Sequence, residues 1–288
     1  MEILVVGGTR FFGIHMVNDL IARGHNVTIA TRGQAKDSFG NSVKRIILDR
    51  ADGESVKAAL KGKTFDVVYD KVAYCSNDVR YLLDNMECKR YICMSTASVY
   101  ETLHENTVEE EFNPLNKELM WCDRADFDYG EVKRQMECAI YQKYKDIEST
   151  AVRYPFVIGE DDYTKRLLFY VDHVMKEIPM NVDNLENPLG FIDSVEAGRF
   201  MAFLAENPFK GAINGCLGGA VSMGEVINYV EKNTGKKAVL RADGDEAPYN
   251  GAPMYTINTD KAEKLGYKFP DIKDKIYDLL DYYIKTLR

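Results

Sequence analysis

The stretch Ile3-Leu4-Val5-Val6-Gly7-Gly8-Thr9-Arg10-Phe11-Phe12-Gly13-Ile14 decides the fold. Four consecutive apolar residues, mostly β-branched, suit a parallel strand buried on both faces. A glycine turn follows. Ile14, Val17, Leu20 and Ile21 then recur at helical spacing until Arg23-Gly24, a cation and a glycine that form a helix stop. Val27-Thr28-Ile29-Ala30 reads as the second strand, which completes one strand–helix–strand unit.

Outward from this unit the alternation continues. Arg45 to Leu48 predicts a strand, Ser55 to Leu60 a helix and Asp66 to Tyr69 a strand. A helix from Asn77 to Met86 leads to strands at Tyr91–Met94 and Thr150–Arg153. Repeated in this way, the pattern implies an α/β fold, a doubly wound parallel sheet with helices on both faces. The polar and acidic connection at 104–127 holds Glu109-Glu110-Glu111, Pro114 and the single Trp121, and is long enough to suggest a functional role. After Pro155 the pattern changes to mixed helices and short strands. Residues 1–155, joined by parts of 188–215, are therefore expected to form one domain, and 156–288 mainly a smaller mixed α/β domain. Ile272, Ile276, Leu279, Leu280, Tyr283 and Ile284 predict an amphipathic C-terminal helix.

Composition narrows the function classes. With 45% apolar and 28% charged residues, the 288-residue chain is neither fibrous nor disordered. The formal charge of -8, from 37 Lys+Arg against 45 Asp+Glu, argues against nucleic-acid or anionic-membrane partners. The six cysteines contain no C-x-x-C pair and the four histidines lack metal spacing. Reduced thiols, no metal and a cytoplasmic location are the expectation. No apolar run approaches the roughly 18–20 residues of a membrane span, and the N-terminus does not read as a signal peptide.

Three stations carry candidate chemistry. At the glycine turn, unpaired N–H groups and the positive end of a helix suit a pyrophosphate, and glycines permit its close approach. The segment closing the second strand, Ala30-Thr31-Arg32-Gly33, has no carboxylate to bond a free ribose 2′-hydroxyl, whereas Arg10 and Arg32 can face a 2′-phosphate. NADP(H) is thus expected over NAD(H). Tyr129 and Lys133 stand four apart on a helical stretch running to about Tyr144, where an ammonium beside the phenol would lower its pKa toward acid–base range. The run Met94-Ser95-Thr96-Ala97-Ser98-Val99-Tyr100 places hydroxyls at the carboxyl end of a strand, where open parallel sheets bind ligands.

Together these stations resemble the extended short-chain dehydrogenase/reductase superfamily, in its NAD(P)-dependent epimerase/dehydratase branch, across nearly the whole chain. The resemblance implies a Rossmann-like first domain and a C-terminal substrate domain. Ser95 to Tyr100 resembles the branch's S-S-x-x-V-Y stretch and implies Thr96 as the catalytic hydroxyl. Tyr129 to Lys133 resembles its Y-x-x-x-K, which implies Tyr129 as the catalytic tyrosine and Lys133 as the ribose-binding lysine. Cofactor contacts are implied at Gly7, Thr9, Arg10, Phe11, Phe12 and Gly13, at Thr31 and Arg32, and at Asp49-Arg50 beside the adenine. Asp70-Lys71-Val72 is implied beside the cofactor, and Tyr154-Pro155-Phe156-Val157 against the nicotinamide.

Arg10 replaces a glycine, as in a subgroup whose turn reads G-G-T-R-F-x-G and which includes both nucleotide-sugar epimerases and RNA-associated proteins. The segment between Thr96 and Tyr129 is longer than usual for the branch and implies a reshaped entrance. The expected activity is hydride and proton transfer on a nucleotide sugar, with Thr96, Lys165 and Arg166 contacting the substrate and a homodimer fitting the resemblance. The alternatives are a carbonyl reductase that releases its cofactor each cycle and a non-catalytic NADP-sensing or RNA-associated protein.

Overall fold

The computed structural model describes residues 1–288. Its main sheet contains β1 (Glu2–Val6), β2 (Asn26–Thr31), β3 (Lys44–Ile47), β4 (Lys63–Asp70), β5 (Met86–Thr96) and β6 (Glu148–Tyr154). Three short strands follow: β7 (Phe156–Ile158), β8 (Pro179–Asn181) and β9 (Phe191–Asp193). Then β10 (Gly211–Asn214) returns to the main sheet, whose order is β10-β6-β5-β4-β1-β2-β3 with every pairing parallel. The order reverses on either side of β1, which opens the crevice where such sheets bind ligands.

Register fixes what meets at that crevice. Val6 of β1 stands beside Ala30 of β2 and Asp70 of β4, while Thr96 of β5 stands beside Tyr154 of β6. Gly7, Thr31, Lys71, Thr96 and Pro155 therefore leave or approach one edge of one sheet.

Helices cover both faces. On one side α1 (Phe12–Ala22) packs through Met16, Val17 and Leu20 with Phe200 and Met201 of a later helix, α6 (Ser194–Phe203). On the other lie α2 (Gly53–Leu60), α3 (Ser76–Leu83) and α4 (Tyr129–Cys138), which contribute Val56, Leu60, Val79, Leu82 and Met136. The third core belongs to the C-terminal part. There α5 (Arg166–Lys176), α7 (Met223–Thr234) and α9 (Lys273–Leu287) meet through Tyr170, Val174, Val226, Val230, Ile276 and Leu280. A short helix, α8 (Asp260–Lys264), precedes α9, and β8 is flanked by β11 (Val239–Leu240) and β12 (Asp245–Glu246).

Two helices end earlier than expected. The helix beginning at Ser76 stops at Leu83, because the chain enters β5 at Met86. The α-helix starting at Tyr129 ends at Cys138 and continues as a wider π-helical turn over Ala139–Lys143.

The long connection is pinned to the sheet by a fully buried arginine. Arg153 bonds both oxygens of Glu137 at 3.0 and 2.6 Å, the carbonyls of Glu109 (2.9 Å) and Phe112 (3.0 Å), and the Tyr100 hydroxyl (3.3 Å). All five guanidinium N–H groups are thereby used. No helix is long and apolar enough to cross a membrane. The six cysteines are free thiols, and no three His, Cys, Asp or Glu side chains gather as a metal site.

Candidate cofactor and active site

The glycine turn has the backbone the sequence requires. Gly7 and Gly8 take φ of 93° and 91°, a region that favours glycine. At Gly13 a Cβ would come within 2.8 Å of the Gly8 Cα, so only glycine lets α1 start so close to the turn. Behind the turn lies a cavity of about 360 Å³, lined by Gly7, Thr9 and Arg10, by Thr31 and Arg32, by Asp49 and Arg50, and by Lys71 and Val72. Five cations border it, with Arg124 the fifth, against a single carboxylate. In a chain of net charge -8, that is a local positive site for an anionic ligand.

Arg50 forms part of the wall. Its Nε and Nη2 donate to Asp70 at 3.1 and 2.5 Å, and the Tyr91 hydroxyl adds a 3.0 Å bond to the same oxygen. Nη1 is buried without a partner. A buried donor left unpaired is costly, and here it belongs to a residue that lines the cavity.

A second cavity of about 600 Å³ adjoins the first, and both share Lys71, Val72 and Tyr163. Phe11 and Phe12 line it from the turn, Thr96 from the end of β5, and Tyr129 from the first turn of α4. Tyr154, Pro155, Phe156 and Val157 form the wall at the end of β6, and Arg166 opens α5. No carboxylate lines this cavity.

Thr96 and Tyr129, the two hydroxyls expected to act together, line the same cavity. Burial of its hydroxyl end raises the Tyr129 phenol, opposed by the neighbouring Thr96 hydroxyl and by the charge of Arg166, although 46% of the residue faces solvent. Thr96 is held by Ser98, whose N–H donates to Oγ1 at 3.1 Å while Oγ1 lies 3.2 Å from the Ser98 hydroxyl.

Lys133 is placed differently from the sequence expectation. Its Nζ is buried and donates to the carbonyls of Ala73 (2.7 Å) and Met94 (2.9 Å), tying the loop after β4 to the end of β5. The Tyr74 ring lies 5.0 Å from that ammonium and makes an edge contact with the Tyr129 ring, centroids 6.1 Å apart. Phenol and ammonium, expected side by side, share no hydrogen bond: the phenol borders Thr96 and Arg166, and the lysine is held by main chain. Burial lowers the Lys133 pKa, offset by Cys93, Tyr74, Asp70 and Asp78.

Gly13, Asp70 and Lys133 support the cavities without lining them. Lys165 is exposed and outside both linings, in a left-handed conformation (φ 56°) just before α5, which leaves Arg166 as the cavity's guanidinium. Sequence reasoning missed Tyr74, Arg124 and Tyr163. Tyr74 directly follows the Asp70-Lys71-Val72-Ala73 segment and Tyr163 stands three residues before Arg166, so proximity was a signal for both. Arg124 carried none.

The chain matches the family model described as NAD(P)H-binding over residues 7–179, more than half its length. The chain belongs to the NAD(P)H-binding family. Its fold, a parallel seven-stranded sheet flanked by helices, is shared with solved UDP-sugar 4-epimerases. The UDP-glucuronic acid 4-epimerase of Bacillus cereus, solved with NAD, superposes with a TM-score of 0.73 at 20% identity, covering 100% of this chain and 97% of that one. The UDP-glucose 4-epimerase of Thermus thermophilus, also with NAD, gives 0.72 at 18% identity over 98% and 99%. In sequence, the chain is 25% identical over 199 residues to the chloroplast stem-loop binding protein of 41 kDa b from Arabidopsis thaliana. That match spans 64% of this chain and 49% of the relative, so the chain covers about half the length of that curated protein.

Proposed function

We propose that the chain is an NADP(H)-preferring oxidoreductase of the epimerase/dehydratase type acting on a nucleotide sugar. The observation that carries this reading is that the two cavities share Lys71, Val72 and Tyr163, so that a dinucleotide, if bound, would be held by Asp49 and Arg50 at one end and face Thr96 and Tyr129 at the other. Arg10 and Arg32 border the adenosine half and supply charge for a 2′-phosphate.

A nicotinamide bound against Tyr154–Val157 supplies a hydride donor or acceptor. Tyr129 then exchanges the proton of the reacting hydroxyl or carbonyl, and Thr96 hydrogen-bonds the same oxygen as its charge changes. Arg166, whose guanidinium lies 5.4 Å over the Phe156 ring, binds the anionic portion of the substrate. Lys133 acts as a positioning residue: by holding the Ala73 and Met94 carbonyls it fixes the loop and strand end that carry Tyr74 and Thr96.

The test pairs binding with turnover. Tyr129→Phe retains NADPH affinity within about twofold and loses conversion of nucleotide sugars by about 10²–10⁴-fold, followed by mass spectrometry and NMR. Unchanged turnover refutes the acid–base role. A carbonyl reductase is the second reading, favoured by the largely apolar wall of the larger cavity, and dinucleotide retained through purification distinguishes the epimerase type from it.

A further inference from the structure

Lys71 and Arg124 reach the junction of the two cavities from outside the glycine turn. Lys71 follows β4, and its stem lies across the start of α1: a Cβ on Gly13 would come within 2.8 Å of Cδ and 2.9 Å of Cε. Its ammonium has no carboxylate partner and faces the Phe12 ring at 4.4 Å. Partly withdrawn from water and facing both cavities without a carboxylate beside it, the ammonium offers an arriving anion a partner already in place. Burial pushes the Lys71 pKa down to about 8, with Asp161 opposing the shift and Arg10 adding to it.

Arg124 comes from the long connection. Its Nε and Nη2 bond Asp78 at 3.3 and 3.2 Å, Nη2 also bonds the Val72 carbonyl at 2.9 Å, and the guanidinium lies 4.2 Å over the Tyr74 ring. The side chain remains 41% exposed and lines the adenosine cavity, next to the residues that divide that cavity from its neighbour. These bonds fix the guanidinium in position and leave Nη1 without a protein partner.

We propose that Lys71 and Arg124 form a two-cation clamp on the diphosphate of the bound dinucleotide, and that the 104–127 connection serves to deliver Arg124 to it. The inference rests on the cofactor reading above; it gives Lys71 a specific partner on the cofactor and adds Arg124. A dinucleotide diphosphate carries one negative charge per phosphate; Lys71 offers it an ammonium with no carboxylate beside it, and Arg124 the Nη1 left free by its pairing with Asp78. Lys71 is a weakly solvated point charge, and Arg124 a planar donor already oriented by Asp78 and Tyr74.

The experiment titrates full-length protein with NADPH by fluorescence and displaces it with ADP or with adenosine. Lys71→Met and Arg124→Gln are each expected to weaken NADPH and ADP by about ten- to a hundredfold and to leave adenosine within twofold. Lys71→Arg and Arg124→Lys are expected to keep most of the affinity. NADPH binding within twofold of wild type in both neutral variants overturns the clamp, and so does a loss of adenosine equal to that of ADP, which marks structural damage. If wild-type protein binds no dinucleotide, the cofactor reading itself fails and the clamp with it.

Discussion

Replacing Arg153 by Met removes the centre of the buried polar network. Met approximates the length of the arginine stem, so the loss is chiefly electrostatic. Glu137 keeps only the Ser95 hydroxyl (2.5 Å) in a fully buried position, and the carbonyls of Glu109 and Phe112 lose their donor. Breaking a buried ion pair by removing one partner costs about 3–5 kcal/mol, and each orphaned carbonyl adds up to about 1–3 kcal/mol unless water reaches it. Against a total stability of roughly 5–15 kcal/mol, the single variant is expected to lose at least about 4 kcal/mol. Urea denaturation followed by circular dichroism measures the loss. The double variant Arg153→Met, Glu137→Met removes both charges and is expected to regain most of it, because exchanging a buried pair for apolar groups is often near neutral. A single variant within about 1 kcal/mol of wild type would refute the reasoning.

Three further outcomes are expected. Arg32→Ala weakens NADPH by about ten- to a hundredfold, the worth of a charge-assisted bond, and leaves NADH within twofold; equal losses for both cofactors remove the arginine argument. NADPH affinity is full while Lys71 is charged and declines as pH rises through about 8. The ligand's 2′-phosphate, with a second pKa of about 6, is already ionised in that range. The groups facing Lys71 are Arg10 of the turn and Asp161, the latter bonded by His15 of α1 at 3.0 Å, and a flat profile in Lys71→Met, measured by the same titration from pH 7 to 9.5, checks the assignment. Gly13→Ala places a Cβ against the Gly8 backbone and is expected to lower Tm by roughly 2–10 °C and to weaken NADPH more than tenfold; normal melting and binding would contradict the close approach.

The first half of the fold was legible because each of the six strands between Glu2 and Tyr154 holds a short run rich in apolar residues, set apart from the next by a helical or loop stretch. The later strands are two to four residues long, too short for periodicity to register. At the site, spacing placed Tyr129 and Lys133 on one helix face but did not set where the side chains end. A lysine stem is long enough to carry its ammonium past the phenol to the Ala73 and Met94 carbonyls, and the Tyr74 ring fills the space between. Arg153 directly precedes the segment expected to line the nicotinamide, yet its side chain turns into the core, since alternate residues of a strand face opposite ways. Arg124 was invisible because its position depends on Asp78 and Tyr74, about fifty residues earlier in the chain.

A crystal structure of the NADPH complex bears most directly on the site. The expected result is a diphosphate over Gly7–Gly13 and a nicotinamide seated between the Tyr154–Val157 wall and the hydroxyls of Thr96 and Tyr129. Crystals grown at saturating NADPH with neither cavity holding the dinucleotide, or with the ring turned away from Tyr129, would contradict it.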